Sequence, residues 1–564
     1  MFDQWRMYQT LLAIPFPHNV LVLENGHHPI IPNTIRYAEV QWFAADQLLQ
    51  IGIGISCALM SVLILCLIGW RERGVGFGAR SAAVMLPILG IFWLANARIL
   101  MHGNEALHAY LLVLSVVVAA VFTYRAAQCE TNGWLVAASA ACAVAMFCFG
   151  PGVASFPAVI ALGILLRISW RRLVIPGATL VILLLIYLYA LPGDEGVRSM
   201  LSLRPWESTK IAMTWLSSPW ATEWLGLAQP PLYPQMVERF NAEGQWQPMV
   251  VSANALVSAT GLPWRTLSML FGFAGTIYFG IRTAYTFLQK SKLTLLQSLA
   301  TMLCVFALAT SFVIGVGRLS YFSEHSGQVF ADRYLIWPCL FWTGLALLTL
   351  GDVFRARVQW PRLVFGACVV ALPLALYPMH DYAAGWSSVV YNSSQRMAAS
   401  ARSGIVDADV VTSIADIVPE YTKTLAVFKQ RNLAMFADPA WRLLDQPWTG
   451  SIDATTEIEV DAYWMETFDS ERGTAHHLRG IVKRGVGKLR NGFLALLTDD
   501  NRIAGFAEFS FVGKGKKTPL FLSLPRKRGF DGYVAGTDST AHYRLVWLRL
   551  DSGRGTLLAD LPRK

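Results

Sequence analysis

The sequence LQIGIGISCALMSVLILCLIGW, residues 49–70, contains no charged residue. An α-helix needs about 20 apolar residues to cross the roughly 30 Å hydrocarbon core of a membrane, with its backbone hydrogen bonds made inside the helix. The stretch therefore predicts a transmembrane helix. Further blocks of the same kind follow it along the chain, and together they decide the class of fold.

The composition of the whole chain agrees with this first block. Of its 564 residues 54% are hydrophobic and 15% charged, and its mean hydropathy is +0.42, which excludes an ordinary soluble enzyme. We predict an α-helical polytopic membrane protein with about ten transmembrane helices. The apolar blocks lie near residues 49–70, 81–101, 105–124, 134–149, 152–168, 173–191, 266–287, 294–316, 335–351 and 361–378.

Basic residues occur in alternate short loops between these blocks. By the positive-inside rule such loops are cytoplasmic. We therefore explain the net charge of +10 by contact of the basic residues with the membrane surface, and we expect no nucleic-acid partner. The basic residues are Arg71, Arg73, Arg80, Arg125, Arg167, Arg171, Arg172, Lys290, Lys292, Arg355, Arg357 and Arg362. The predicted outward segments are residues 1–48, the turns at 102–105 and 150–152, the loops 192–265 and 317–334, and everything after about 379.

The character of the sequence changes after residue 379. The stretch VTSIADIVPEYTKTLAVFKQRNLAMF, residues 411–436, has apolar positions at helical spacing and a break at Pro419. From about residue 450 short alternating runs such as ATTEIEVDAYW and RIAGFAEFSF are typical of a β-sandwich. The predicted domains are an outward polar loop 1–48, a transmembrane domain 49–379 with the outward loop 192–265, a helical connector 380–449 and a β-sandwich domain 450–564.

The predicted β-sandwich has no recognisable catalytic constellation. His476 and His477 are interpreted as surface residues rather than ligands, and binding or docking is the role expected of this domain.

The predicted topology places residues 1–48 outside without a transmembrane helix before them. We therefore expect that a first helix is missing from the N-terminus, so that FDQW at residues 2–5 originally followed it. The alternative is that a polar tail of this length crosses the membrane unaided.

Polar residues that could take part in catalysis or binding lie just before the first block, in LENGHHPIIPNTIRYAEVQWFAAD, residues 23–46. This stretch supplies Glu24, His27, His28 and Arg36 as candidate site residues. A metal site from Glu24 and the two histidines is disfavoured, because adjacent histidines on a loop rarely converge on one ion.

The outward loop at residues 317–334 adds further charge. Arg318 and Arg333 are placed at helix ends, where a guanidinium is suited to hold a phosphate. The alternative is that both arginines reach the membrane surface and pair with Glu324 or Asp332.

Arg98 lies inside the second apolar block, where a charge is costly unless it faces a polar cavity. His102, Glu105 and His108 follow at helical spacing and predict one polar face at the outer surface. That face is interpreted either as a ligand contact or as a structural network between Arg98 and Glu105.

The arrangement resembles the GT-C superfamily of polytopic glycosyltransferases. Three features carry the resemblance: an acidic outward segment with Asp3, Glu24 and Glu39, a long outward loop after the sixth block, and a polar domain after the last span. The pattern of Gly317-Arg318 and Arg333-Tyr334, with DQW and ENGHH, is also similar to a bacterial group of GT-C-like membrane proteins of poorly defined substrate. GT-C proteins usually begin with a helix before the catalytic loop, so its absence here is a departure.

The resemblance implies transfer of a sugar from a polyprenyl-phosphate donor to an envelope glycan, lipid or protein acceptor on the periplasmic face of the bacterial cytoplasmic membrane. It implies an acidic general base, with Asp3 as first choice and Glu24 as second. Cationic groups would stabilise the lipid-phosphate leaving group. The implied donor-phosphate or substrate-binding residues are His27, His28, Arg36, Arg98, Arg318, Arg333 and Tyr334.

The resemblance implies no cofactor, and a divalent cation is the alternative left open. Membrane lipids are expected partners, and the C-terminal domain is expected in the periplasm. Two rival functions remain. One is an enzyme of the O-antigen ligase or polymerase type, and the other is a non-enzymatic transporter or assembly protein for envelope polysaccharide.

Overall fold

A computed structural model describes residues 2–72, 75–93, 96, 99–100, 102–193, 202, 204–220, 258–355, 359–408, 418–455, 457–485, 489, 491–512, 527–536 and 542–561. The chain divides into two compact units. The helical unit comprises Phe16–Arg36 and Gln47–His380, and the strand unit comprises Met1–Pro15, Tyr37–Asp46 and Asp381–Lys564. The predicted polar loop 1–48 is therefore divided between the two units.

Helices make up most of the described chain. They are α1 (Phe2–Ala13), α2 (Ile30–Trp42), α3 (Leu48–Trp70), α4 (Phe77–Ile91), α5 (Gly103–Cys129), α6 (Asn132–Cys148), α7 (Ser155–Leu165), α8 (Trp170–Tyr189), α9 (Pro205–Leu216), α10 (Trp264–Leu288), α11 (Leu295–Gly317), α12 (Leu319–Glu324), α13 (Ile336–Arg355), α14 (Trp360–Arg402) and α15 (Val418–Arg431).

A helix lies at each of the ten apolar blocks. Among the described residues five helices are long and apolar enough to cross a membrane: Leu48–Trp70, Gly103–Cys129, Trp170–Tyr189, Leu295–Gly317 and Ile336–Phe354. Shorter apolar helices occupy Phe77–Ile91, Asn132–Cys148, Gly150–Leu165 and Trp360–Leu376. These helices are compatible with a membrane protein, and the count of ten spans stays a prediction.

Helix α11 illustrates why these segments are helical. Thr294 caps its first turn: the Gln297 backbone N–H donates to the Thr294 hydroxyl at 3.3 Å, and the Thr294 N–H donates to the Gln297 side-chain oxygen at 3.1 Å. This reciprocal pair satisfies two N–H groups that a helix N-terminus leaves without intrahelical acceptors. The 23 residues then rise about 34 Å at 1.5 Å each.

The helices of this unit differ in how much of their surface the protein covers. Of the 18 most apolar consecutive residues in each helix, 72% are buried in α5 and 67% in α11, whereas in α8 the buried share is 11%. Helices α5 and α11 therefore lie at the centre of the unit. The apolar surface of α8 is left open, as lipid contact would require.

Loops predicted to be cytoplasmic meet at one end of the helical unit. The guanidinium of Arg172 donates to the carbonyl oxygens of Ala126 at 2.9 Å and Thr131 at 2.7 Å. Arg167 donates to the carbonyl oxygen of Phe287 at 3.0 Å. Three of the basic loops are thus neighbours in space.

Loops predicted to face outward meet at the other end. Arg318 Nη2 donates to the carbonyl oxygen of Asn25 at 2.9 Å. A Cβ added at Gly193 would lie 3.1 Å from the Cβ of Leu23, so the chain after α8 also reaches this segment. Three of the five predicted cytoplasmic loops are therefore neighbours, and so are three of the predicted outward segments.

In the strand unit the N-terminal helix α1 packs on α15. The Trp5 ring meets the Tyr421 ring edge to face at 4.8 Å, and the Tyr8 ring meets Phe428 at 5.4 Å. Helix α15 begins at Val418, with Pro419 in its first turn, where the missing N–H costs nothing. The preceding part of the predicted helical stretch, residues 411–417, lies outside the described residues.

The C-terminal region contains eight strands in the described chain. They are β1 (Ser451–Ala454), β2 (Glu459–Ser470), β3 (Gly473–Arg484), β4 (Phe493–Leu497), β5 (Ile503–Val512), β6 (Lys527–Gly536), β7 (Tyr543–Arg549) and β8 (Arg554–Leu561). They are hydrogen-bonded in the order β1-β8-β7-β4-β5-β6-β3-β2. The pair β1 and β8 is parallel, and the other neighbours are antiparallel.

Strand β4 is buried along its whole length. Leu494 and Leu496 belong to one apolar cluster, whereas Ala495 and Leu497 belong to a second, as expected when side chains alternate between two faces. The predicted strand-rich C-terminal domain is confirmed. Its described strands form a single sheet, and the division into the two sheets of a sandwich stays a prediction.

The interpretation of His477 as a surface residue is wrong. Its side chain on β3 is 1% exposed and lies between carboxylates of the neighbouring strands. His476 points to the opposite face of the sheet and is half-buried. Alternation along the strand therefore separates two adjacent histidines that composition alone treats alike.

Candidate functional site

The sequence ENGH, residues 24–27, forms a tight turn in the helical unit. The Glu24 N–H donates to the His27 carbonyl oxygen and the His27 N–H to the Glu24 carbonyl oxygen, both at 2.8 Å. Asn25 and Gly26 between them have φ angles of +48° and +80°. Asn-Gly suits this geometry, because both residues adopt positive φ at low cost.

Arg36 is fully buried beside this turn. Its Nη1 donates to Glu24 Oε1 at 3.0 Å, and its guanidinium also donates to the side-chain oxygens of Asn33 and Asn104. Its Nη2 lies 3.4 Å from His108 Nε2. A buried cation is tolerated only with such partners. We call Glu24, Asn33, Arg36, Asn104 and His108 the Glu24–Arg36 cluster.

The burial of Arg36 changes its expected role. Its hydrogen bonds are directed at protein oxygens, and its side chain is closed to solvent. Direct binding of a donor phosphate by Arg36 is therefore not supported by this environment. The Glu24 side chain retains 15% exposure, and the arginine holds it in place. Arg36 is best described as a positioning residue for Glu24.

His27 follows the turn and packs against Phe149, with ring centroids 4.6 Å apart. A Cβ added at Gly150 would lie 2.2 Å from His27 Nδ1, so glycine is required there for the ring to fit. Burial lowers the pKa of His27 to about 3, and the charges of Arg318 and His28 act in the same direction. At neutral pH His27 is therefore an uncharged imidazole and cannot add positive charge to a phosphate site.

His28 is buried and its described contacts are structural. Its backbone N–H donates to the Tyr187 hydroxyl at 3.0 Å, and its Nδ1 lies 3.0 Å from the Leu21 carbonyl oxygen, which makes that nitrogen a donor. Its ring also meets the Tyr187 ring edge to face at 5.0 Å. These contacts fasten the ENGH turn to α8.

Arg318, at the end of α11, is a second cation that reaches the ENGH turn. It is partly exposed, and its Nη2 binds the Asn25 carbonyl oxygen. No carboxylate lies within ion-pair distance of it among the residues that the structure describes. The alternative of a pair with Glu324 is thus not observed, whereas the Asp332 side chain lies outside the described residues.

Arg333 and Tyr334 shape the loop that contains them. Arg333 Nη2 donates to the Tyr321 hydroxyl and to Gln328 Oε1, both at 3.3 Å. Its guanidinium lies 5.0 Å from the centre of the Tyr334 ring, a cation–π distance. The Tyr334 ring packs on Phe322 at 5.9 Å.

A stack of rings joins this loop to the Glu24–Arg36 cluster. Phe149 stacks on His108 at 5.7 Å and on Trp337 at 6.3 Å, with interplanar angles of 25° and 22°. Trp337 lies in the first turn of α13, directly after the loop. Four separate segments of sequence therefore meet around Phe149.

Two predicted site residues have side chains outside the described part of the chain. Asp3 lies on α1, which belongs to the strand unit, and its side chain is outside the described residues. Arg98 is likewise outside the described residues. The structure therefore brings together Glu24, His27 and Arg318 from the predicted set, with Arg36 behind them.

Sequence reasoning missed Asn33, Asn104 and Phe149. Asn33 precedes Arg36 by three positions on a helix, a spacing that puts both on one face and was available as a signal. Asn104 lies within the turn already singled out for its charged neighbours. Phe149 carries no chemical signal of its own, and only its packing reveals it.

No group of three or more His, Cys, Asp or Glu side chains suited to a metal ion is found in the described part of the chain. Comparison of the sequence with protein-family models, with curated proteins and with solved structures finds no match.

Proposed function

We propose that this chain is a membrane glycosyltransferase of the GT-C type, which takes a sugar from a polyprenyl-phosphate donor. One observation carries the proposal: Glu24 opens the ENGH turn, and Arg318 binds the same turn through Asn25. A carboxylate of the turn and a partly exposed guanidinium from the end of α11 thus meet at the same turn. A base and a phosphate-binding cation must share a site in this chemistry.

In the proposed reaction Glu24 is the general base. It accepts the proton of the acceptor hydroxyl while that oxygen attacks the anomeric carbon of the sugar. The bond between this carbon and the phosphate oxygen breaks, and the bonding electrons leave with the lipid phosphate. Arg318 stabilises the charge that develops on the leaving phosphate.

The surrounding residues support these two roles. The ion pair with Arg36 holds the Glu24 carboxylate in position at the turn. Neutral His27 and the Phe149 ring form one wall beside the turn. Glu24 replaces Asp3 as our first choice because it pairs with Arg36 and belongs to the turn that Arg318 contacts.

The proposal includes a topology. The ten apolar blocks would cross the bacterial cytoplasmic membrane, with the basic loops in the cytoplasm and the ENGH turn at the periplasmic face. The strand-rich domain, with its strands arranged as a sandwich, would lie in the periplasm. The grouping of the basic loops at one end of the helical unit supports this arrangement.

The test has a cellular and a biochemical arm. Envelope glycans of cells with and without the gene are compared by mass spectrometry, and loss of one sugar identifies the donor and acceptor classes. The purified full-length protein in proteoliposomes is then assayed for transfer from polyprenyl-phosphate sugars. Glu24→Gln is expected to reduce transfer by about a hundredfold or more, and Arg318→Ala strongly.

The exposed carboxylate Glu324 is the matched control, and Glu324→Gln is expected to retain transfer. Full activity of Glu24→Gln together with loss of activity in Asp3→Asn would move the base to Asp3. An unchanged glycan profile without the gene would refute the enzyme. Transfer that requires a diphosphate-linked oligosaccharide donor would favour the ligase or polymerase alternative.

A further inference from the structure

A second cluster of charged residues lies in the strand unit, whereas Glu24 and Arg318 of the proposed mechanism belong to the helical unit. At its centre is His477 on β3, whose two ring nitrogens both face carboxylates. Nδ1 lies 3.1 Å from Glu466 Oε1 on β2, and Nε2 lies 2.9 Å from Asp531 Oδ1 on β6. Asp531 is 4% exposed and Glu466 43% exposed.

The hydrogen-bond partners of the two ring nitrogens point to the protonation state of the His477 ring. An ionised carboxylate only accepts hydrogen bonds, so each ring nitrogen must carry a hydrogen to bind its partner. A neutral imidazole carries one hydrogen and would leave one nitrogen lone pair facing a carboxylate. We propose that His477 is held as an imidazolium cation, and that this bound proton locks β2, β3 and β6 together.

The charges that face His477 from each neighbouring element agree with this proposal. Arg479, on β3 itself, donates to Asp531 at 3.0 Å. The Tyr533 ring of β6 stacks on the His477 ring at 4.8 Å and 12°.

The helix α14 and the segment after it supply the remaining charges. Arg396 on α14 pairs with Glu466 at 2.6 Å and with Asp407 at 2.7 Å, and the Tyr533 hydroxyl donates to Asp407. The network then contains three carboxylates and two arginines. A cationic His477 brings the total charge of these groups to zero, which favours the burial of His477, Asp531 and Asp407 at the centre of the network.

The state of Asp531 also fits. Burial favours its neutral form, but the hydrogen bond from His477 and the charge of Arg479 outweigh burial and lower the pKa of this carboxyl. Asp531 is therefore ionised over the pH range in which His477 must donate to it.

A proton bound more tightly in the folded than in the unfolded chain stabilises the folded state below the pH at which it is released. We therefore expect the strand unit to lose stability as the pH rises, through loss of the His477 proton. Asp531 acts in the opposite sense, since its lowered pKa stabilises the unit above the pH of its protonation and is lost in acid.

The test follows thermal unfolding of the full-length protein in detergent between pH 6 and pH 9. The wild type is expected to lose several degrees of melting temperature across this range, and His477→Gln to lose clearly less. His476→Gln is the matched control, because His476 lies on the other face of β3, where Thr467 contacts its Nδ1 at 3.0 Å. The control is expected to retain the wild-type slope.

A second measurement covers the case in which His477→Gln does not fold. In ¹⁵N-histidine-labelled wild-type protein at pH 7, one of the ten histidines is expected to show two protonated ring nitrogens. This signal should be lost at pH 7 in Glu466→Gln, where the amide can donate to a neutral ring. A neutral tautomer of every histidine in the folded wild type, or an unchanged pH slope in folded His477→Gln, would overturn the proposal.

Discussion

Arg36 and Glu24 form an ion pair in which the guanidinium is completely buried while the carboxylate is 15% exposed, with Nη1 and Oε1 3.0 Å apart. The difference in exposure gives the two residues different roles, because only Glu24 remains accessible to solvent. Both terminal guanidinium nitrogens of Arg36 are held by protein side chains, and Nη1 binds Glu24 at the ENGH turn. A pair of this kind positions a carboxylate, and it contributes to stability mainly because breaking it leaves an uncompensated buried charge.

Removal of Glu24 is therefore expected to destabilise the helical unit. Glu24→Ala leaves the buried Arg36 without its carboxylate and should cost about 3–5 kcal/mol in the free energy of unfolding. The matched control is Glu420→Ala, which removes the partner of Arg6, a residue whose side chain is 61% exposed. An exposed pair of this kind contributes about 1 kcal/mol or less. Thermal melting of both variants in detergent measures the difference, and equal losses would contradict the assignment of Arg36 as a buried cation.

Gly150 is expected to tolerate no side chain. Gly150→Ala places a Cβ 2.2 Å from His27 Nδ1, so the ring must move away from Phe149, at a cost of about 1–3 kcal/mol. Gly133→Ala is the control, because nothing lies within 4 Å of a Cβ at that helical position, and it should be neutral or stabilising by up to about 1 kcal/mol. If the two variants melt at the same temperature, His27 does not occupy the described position.

His27 is expected to make the protein sensitive to acid. Its pKa of about 3 in the folded chain lies below the ordinary value of 6.5, so the unfolded chain binds the proton more tightly. Stability is then complete above about pH 6.5 and is lost as the pH falls toward 3. His27→Gln, which cannot be protonated, should flatten the dependence of melting temperature on pH between 6.5 and 4. An unchanged slope would show that His27 does not control it.

The N-terminal helix α1 is expected to stabilise the strand unit. Trp5 is 9% exposed and packs on Tyr421 and Phe428, so Trp5→Ala should cost about 3–5 kcal/mol. Trp42→Ala is the control, because Trp42 is 77% exposed and its loss should change stability by about 0.5 kcal/mol or less. Limited proteolysis and thermal melting compare the two. Equal resistance to protease in both variants would exclude a structural role for α1.

The helices at the ten apolar blocks were predictable because their signals are local. A run of about 20 apolar residues specifies a helix by length and composition, whatever its neighbours are. The alternating strands after residue 450 were predictable for the same reason, since side chains on a strand alternate between two faces. The order of those strands in one sheet was not predictable, because pairing depends on contacts between distant segments.

The candidate site was predictable only in part. Glu24, His27 and Arg318 were selected as candidates because polar residues next to apolar blocks are conspicuous in an apolar sequence. The partner oxygen that Asn104 offers to Arg36 lies 68 positions away along the chain, and no local pattern connects the two. The burial of Arg36 and of His477 was missed for the same reason, since exposure depends on what packs above a residue.

The sequence by itself determined the mostly helical character of this protein, the positions of its apolar helices and the alternation of its basic loops, because each depends on residues close together in the chain. Only the tertiary structure decided that Glu24 is held by a buried arginine, that Arg318 reaches the ENGH turn and that two adjacent histidines lie on opposite faces of a sheet. The residue type decides which charge a side chain can carry, but whether that charge can contact a substrate depends on the groups that fold around it.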